Sequence, residues 1–152
     1  MISLFGLGKG SGNDTIGPPV DIQWARNAKG RFHNLMFLDT AAENLQNVGG
    51  VFAIWHGGAK PMWLYVGSTP DLGQALEGKI DDPEIERFYD RVGVYVSWSL
   101  AKPEFHDGIV RYLTDTMMPE IDNPDAPRTA DEKPIAVFLP GLEKKPSKKQ
   151  TT

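Results

Sequence analysis

The side chains of this chain that could do chemistry are few and dispersed. His33, His56 and His106 are too far apart for the H-x-x-x-H spacing that sets two imidazoles on one helix face. Isolated imidazoles lack the ligand cluster a metal needs, so they are expected at the surface or in hydrogen bonds, and no metal site is assigned. The absence of cysteine removes thiol nucleophiles, disulfides and thiolate ligands. Gly8-Lys9-Gly10-Ser11 has the residue types of a phosphate loop. It lacks both the G-x-x-x-x-G-K-[ST] spacing and a preceding strand, so it reads as linker. A Ser/His/Asp triad assembles in space and cannot be named from spacing. The densest group is aromatic: Trp55, Trp63, Tyr65, Tyr95 and Trp98. Such residues suit cross-strand packing. An exposed subset would instead stack bases or anchor a protein, and base stacking calls for interleaved cations. Lys60, Lys79 and Arg87 are scattered, and Asp81, Asp82, Glu84 and Glu86 surround them, which disfavours a phosphate groove.

The elements that must position these groups follow from pattern. Val51-Phe52-Ala53-Ile54-Trp55 and Met62-Trp63-Leu64-Tyr65-Val66 are β-rich runs around a loop carrying Gly57, Gly58 and Pro61, which predicts a hairpin. Asp71 caps a short helix over Leu72 to Glu77, and Asp82-Pro83 starts another. Val92 to Leu100 alternates as a third strand. Pro103-Glu104 opens a longer helix in which Ile109, Leu113 and either Thr116 or Met117 have helical spacing. Upstream, Phe32 to Leu38 reads as a strand, and Thr40 to Asn47 as a short helix capped by Thr40 with Glu43 three residues on. Ile135 to Leu139, between Pro134 and Pro140, reads as an extra C-terminal edge strand.

Length and composition bound the rest. One domain suits 152 residues, and 40% hydrophobic with 24% charged residues is ordinary for a globular chain. Residues 1–19, rich in glycine and ending in Pro18-Pro19, read as a flexible leader; 20–142 as the domain, with a core over 49–124; and 143–152 as a basic, disordered tail. That tail carries Lys144, Lys145, Lys148 and Lys149, whose functional alternative is contact with an acidic partner. Sixteen Lys and Arg against twenty Asp and Glu lower the expectation of general DNA binding. No apolar run is long enough to span a bilayer, and the first residues make a poor signal peptide, so a soluble cytoplasmic protein without membrane contact is expected.

Gly50-Val51-Phe52 is followed by Tyr65-Val66-Gly67, thirteen residues beyond Phe52, and then by Ser68-Thr69-Pro70-Asp71-Leu72. Gly108 to Leu113 leads on to Pro119 and Asp122-Asn123. In order and spacing, these blocks resemble the GIY-YIG nucleases over about half the chain. The resemblance implies an α+β fold: a small antiparallel or mixed sheet with flanking helices, a ββαβα core. It also implies phosphodiester cleavage by two motif tyrosines, a first-helix arginine steadying phosphate charge and a later-helix glutamate holding a divalent metal. A cation offsets developing phosphoryl charge, and a hard metal prefers carboxylate oxygen.

Position by position, this chain departs from that set. The first motif tyrosine is Phe52, and the second is present as Tyr65. Ala75 stands ten residues beyond Tyr65, in the arginine position. Matching Pro119 to the family proline puts the glutamate position near Val110 and the asparagine position on Asp122 or Asn123. Each lost charge partner can cost roughly 10²–10³-fold in rate. The expectation is therefore a non-catalytic binding domain on a nuclease-like framework, with a protein partner favoured and nucleic acid the alternative. Its cleft would be Phe52, Trp55, Trp63, Tyr65 and Gly67. The competing reading is a divergent endonuclease on DNA or RNA, with Tyr65 and Glu120 as remnant catalytic candidates and Mg or Mn as cofactor. Otherwise no cofactor is expected. A third reading is an unrelated α+β domain with a chance motif.

Overall fold

The computed structural model describes residues 16–60, 62–127 and 133–143. The expected leader up to residue 15 and the tail from residue 144 lie outside them, as does the Gly8 to Ser11 loop.

Among the described residues, four antiparallel strands form one sheet in the order β1-β4-β2-β3. The predicted hairpin forms one side of it, with its first strand central and its second at the edge. Strand β2 (Gly50–His56) pairs with β3 (Met62–Thr69), setting Phe52 opposite Gly67 and Ile54 opposite Tyr65. The register shifts between Ile54 and Trp55, as at a β-bulge. Strand β4 (Val94–Ser99) flanks β2 on the other side, with Trp98 opposite Phe52 and Val96 opposite Ile54. A two-residue strand β1 (His33–Asn34) closes that edge.

Helices cover both sheet faces, so β2 is apolar without alternation, as a doubly buried strand should be. On one face, Phe52, Ile54, Tyr65, Val96 and Trp98 pack with α1 (Leu72–Ile80), α2 (Pro83–Glu86), Leu35 and Leu45. On the other, Val51, Ala53 and Val66 pack with α3 (Pro103–Met117), Trp24 and Val137. The predicted caps form: Asp71 accepts from the Gln74 amide at 3.1 Å, and Asp82 accepts from the Glu84 amide at 2.9 Å. Met118, in the left-handed region at φ 52°, ends α3.

Three local expectations are corrected. Phe32 to Leu38 does not run as a strand: Asn34 accepts from the Met36 amide and turns the chain into a 3₁₀ turn over Leu35–Phe37. Thr40 to Asn47 forms turns rather than a helix. Asn44 and Asn47 both adopt φ 60°, which no α-helix sustains, and the amides of Ala41 and Ala42 are capped by Asp39, not Thr40. The expected C-terminal strand, Ile135 to Leu139, makes one parallel bridge, Val137 to Val20, and joins no strand of the sheet. It crosses α3 at Gly108, whose carbonyl accepts from the Ile135 amide at 2.9 Å. A Cβ on Gly108 would lie 2.6 Å from Ile135 and 2.8 Å from the Lys133 carbonyl, so only glycine permits that crossing. A short apolar run packs on a helix as readily as in a sheet, and hydrophobic pattern alone does not separate the two.

The chain after α3 returns along the outer edge of β3. The amides of Glu120 and Ile121 donate to the carbonyls of Trp63 and Leu64 at 3.0 and 2.9 Å, and Asn123 Nδ2 donates to Val66 O at 3.0 Å. An edge that would otherwise offer free carbonyls to another chain is thereby covered.

Candidate functional site

The five expected cleft residues do not share one surface. Phe52, Tyr65 and Gly67 face α1, whereas Trp55 and Trp63 pair across the hairpin on the α3 side. There the two indoles lie 5.5 Å apart, and Phe32 meets Trp55 edge-on at 4.9 Å. Trp55 is only 8% exposed, so cross-strand packing accounts for it better than base stacking does.

On the α1 side, the rings of Phe52 and Tyr65 stack at 5.9 Å with 22° between planes. Gly67 lies against both, and a Cβ there would fall 3.3 Å from each ring and 3.1 Å from Asn123 Nδ2. Lys79 Nζ sits 3.6 Å from the centroid of the Tyr65 ring and 3.5 Å from Asp82 Oδ2. Burial pushes the Tyr65 hydroxyl above its ordinary pKa, and the carboxylates of Asp125, Asp82 and Asp122 add to the shift. Tyr65 therefore holds its proton in an acidic, half-closed niche.

The remaining family positions do not converge on Tyr65. Ala75 is half-buried against the apolar core from α1, one helical turn before Lys79. Val110 is 1% exposed on the opposite side of the sheet, within the α3 core. Glu120 is exposed just beyond α3, tied to β3 only through its backbone amide. Among the described residues, no group of three His, Asp or Glu side chains is placed to hold a metal ion. Lys79 is a cation of this niche that motif matching did not place beside Tyr65. Its i+4 spacing from the vacant arginine position was the available signal, because residues four apart share a helix face.

Two of the three histidines have hydrogen-bond partners, whereas the buried Nε2 of His33 has none among the described residues and lies 3.8 Å from Glu43 Oε1. His56 Nε2 lies 3.1 Å from both carboxylate oxygens of Asp90. That hydrogen bond, followed by the Gly93 amide, holds Asp90 below the usual carboxylate range. His106 bonds the Ala101 carbonyl at 2.7 Å, and His33 stacks on Trp98 at 5.0 Å.

A second feature was not foreseen. A groove of about 670 Å³ opens between the stretch 20–25, the end of β4 and the start of α3, with Ile135 and Val137 at its base. Its walls are held by buried polar anchors. Ser97 donates to Ala25 O at 2.7 Å, Ser99 donates to Ile22 O, and Trp24 Nε1 donates to Phe138 O at 2.6 Å. Val20, Leu100 and Phe105 stand 54%, 63% and 46% exposed along it. Among the described lining residues, only Gln23 and Lys102 are polar. Single exposed apolar side chains are normal, but a contiguous apolar concavity of this size is a binding feature. Sequence reasoning missed it because its walls come from three segments distant along the chain, residues 20–25, 98–109 and 135–137.

Among the described residues, no helix is long and apolar enough to cross a membrane. Comparison with family models, with curated proteins and with solved structures finds no match to this chain.

Proposed function

We propose that this chain is a non-catalytic binding module on a GIY-YIG-like framework, a cytoplasmic protein whose partner is another protein. The observation that carries the reading is the fate of the charge-bearing positions. The residue matched to the phosphate-steadying arginine, Ala75, is half-buried against the apolar core under α1. The residue matched to the metal-binding glutamate, Val110, is buried across the sheet from Tyr65. A charge restored at Val110 would sit in apolar packing rather than beside a phosphate. Phe52 keeps the ring of the first motif tyrosine and loses its hydroxyl, so the aromatic stack survives as packing. A protein partner fits the apolar groove and the acidic surroundings of Tyr65 better than a polyanion does.

One observation favours the endonuclease reading: Tyr65 is retained and a cation, Lys79, lies against it. Incubation with single- and double-stranded DNA and RNA in Mg²⁺ or Mn²⁺ tests the two. No metal-dependent cleavage above background is expected. Robust cleavage that is lost in both Tyr65→Phe and Glu120→Gln would overturn the non-catalytic assignment.

A further inference from the structure

We infer that the niche around Tyr65 takes an arginine side chain of the partner protein, whose guanidinium donates to the Tyr65 hydroxyl oxygen and to the Asp125 carboxylate. This names a partner chemistry for the binding-module reading and rests on that reading.

The first argument is an unused hydroxyl. Tyr65 is only 9% exposed, with its ring stacked against Phe52 and covered by Lys79 Nζ. A tyrosine so enclosed ordinarily gives its hydroxyl a partner inside the protein. Here the hydroxyl has none among the described residues. It is not sealed off either, since the one enclosed and unpartnered side-chain polar atom among them is His33 Nε2. The Tyr65 oxygen therefore reaches solvent with its lone pairs available to an incoming donor. Gly67 keeps the ring edge beside the hydroxyl clear, because a Cβ there would fall 3.3 Å from Tyr65 Cε2.

The second argument is the sign of the surrounding charge. Asp125, Asp82 and Asp122 all act on the Tyr65 hydroxyl, Asp125 most strongly. Asp82 is answered by Lys79 at 3.5 Å. Asp125 is exposed and has no ion-pair partner among the described residues. Its position is nonetheless fixed: its amide donates to Asn123 Oδ1 at 2.9 Å, and Asn123 Nδ2 donates to Val66 O at 3.0 Å, beside Gly67. An anionic ligand would meet these carboxylates as like charges, whereas a cation completes Asp125. A guanidinium suits the pair of acceptors better than an ammonium. Its planar fork presents N–H donors and no acceptor, so it serves a phenol oxygen and a carboxylate together, and it is the more weakly hydrated of the two cations.

The test titrates the full-length, isotope-labelled chain with N-acetyl-arginine methylamide, which carries a single guanidinium, and with its uncharged isostere, N-acetyl-citrulline methylamide. The arginine probe should move the amide signals of Gly67, Lys79, Asn123 and Asp125 saturably, with half-saturation on the order of millimolar. The citrulline probe should bind at least about tenfold more weakly, as expected when hydrogen bonds lose their charge. Tyr65→Phe keeps the ring and removes only the hydroxyl; Asp125→Asn keeps the shape and removes the charge. Each should weaken the arginine probe roughly three- to tenfold, while β2 signals keep their positions and show that the domain remains folded. Equal binding of the two probes, or an unchanged midpoint in both variants, would overturn the inference. So would saturation of the same signals by Mg²⁺ alone at a lower concentration than the arginine probe needs, which would assign the niche to a metal ion. The same preparation is assayed for cleavage of DNA and RNA. No shifts and no cleavage would overturn this inference and leave the binding-module reading standing; metal-dependent cleavage would overturn that reading, and the inference with it.

Discussion

Gly50, the glycine of the first motif, should be intolerant of any side chain for a reason visible only in three dimensions. A Cβ on Gly50 would lie 2.4 Å from the Ser99 carbonyl oxygen and 2.9 Å from Leu72 Cδ1. Ordinary contact begins near 3.4 Å, so Gly50→Ala must part β2 from β4 by roughly 1 Å beside the Val51–Ser99 pair. Overpacking of this kind costs about 1–3 kcal/mol. Disturbing a ladder hydrogen bond adds about 1 kcal/mol. The stiffer unfolded chain offsets about 0.4–1 kcal/mol. The net expectation is a loss of about 2–3 kcal/mol, which lowers the urea midpoint by about 1–2 M at an unchanged slope. Trp24, Trp55, Trp63 and Trp98 supply the fluorescence signal. Gly78→Ala is the matched control. That site is exposed in α1 with nothing within 4 Å of the added methyl, and there alanine should stabilise by about 0.5–1 kcal/mol. Opposite signs for one chemical change would separate close backbone approach from glycine entropy. A Gly50→Ala midpoint within about 0.3 M of the parent, on the same slope range, would refute the close-approach argument.

Two other perturbations probe the niche around Tyr65. Asn123→Ala removes the donor to Val66 O and should cost about 1–2 kcal/mol in urea unfolding, while Asn123→Asp should cost more because a carboxylate then faces a carbonyl. Because the folded-state pKa of Tyr65 is raised above the ordinary tyrosine value of about 10, its contribution to stability is complete below about pH 10 and is lost as pH rises through the folded value. Tyr65→Phe should therefore flatten the stability decline above pH 10. Ultraviolet titration of the parent should show a tyrosine ionising later than free phenol, and its absence would count against the buried, acidic setting.

The hairpin and its flanking helices were legible because their signals are local. The β-rich runs, the caps at Asp71 and Asp82, and the Pro103 helix start each depend on residues a few positions apart. The misreadings upstream had equally local causes, but the deciding interactions lay outside hydrophobic pattern: the Asn34 side chain captured a backbone amide, and Asn44 and Asn47 took left-handed conformations. For the candidate site, types were readable and placement was not. That Phe52 lacks a hydroxyl, and Ala75 and Val110 a charge, at the positions of the resembled motifs is plain from their identities. That Trp55 and Trp63 face away from Tyr65 depends on strand register, since one residue's shift moves a side chain to the other face.

By itself the sequence determined the order of the hairpin, the two short helices, the third strand and the long helix that follow it, the α+β class, and the absence of thiol chemistry. Tertiary structure alone decided which faces those residues occupy, that Lys79 lies over Tyr65, that Ile135 to Leu139 crosses a helix instead of extending the sheet, and that a groove opens beside α3. The physical reason is range. Caps, turns and periodicity act within a few residues, whereas a face, a cation–aromatic contact and a cavity exist only after segments distant along the chain have been packed together.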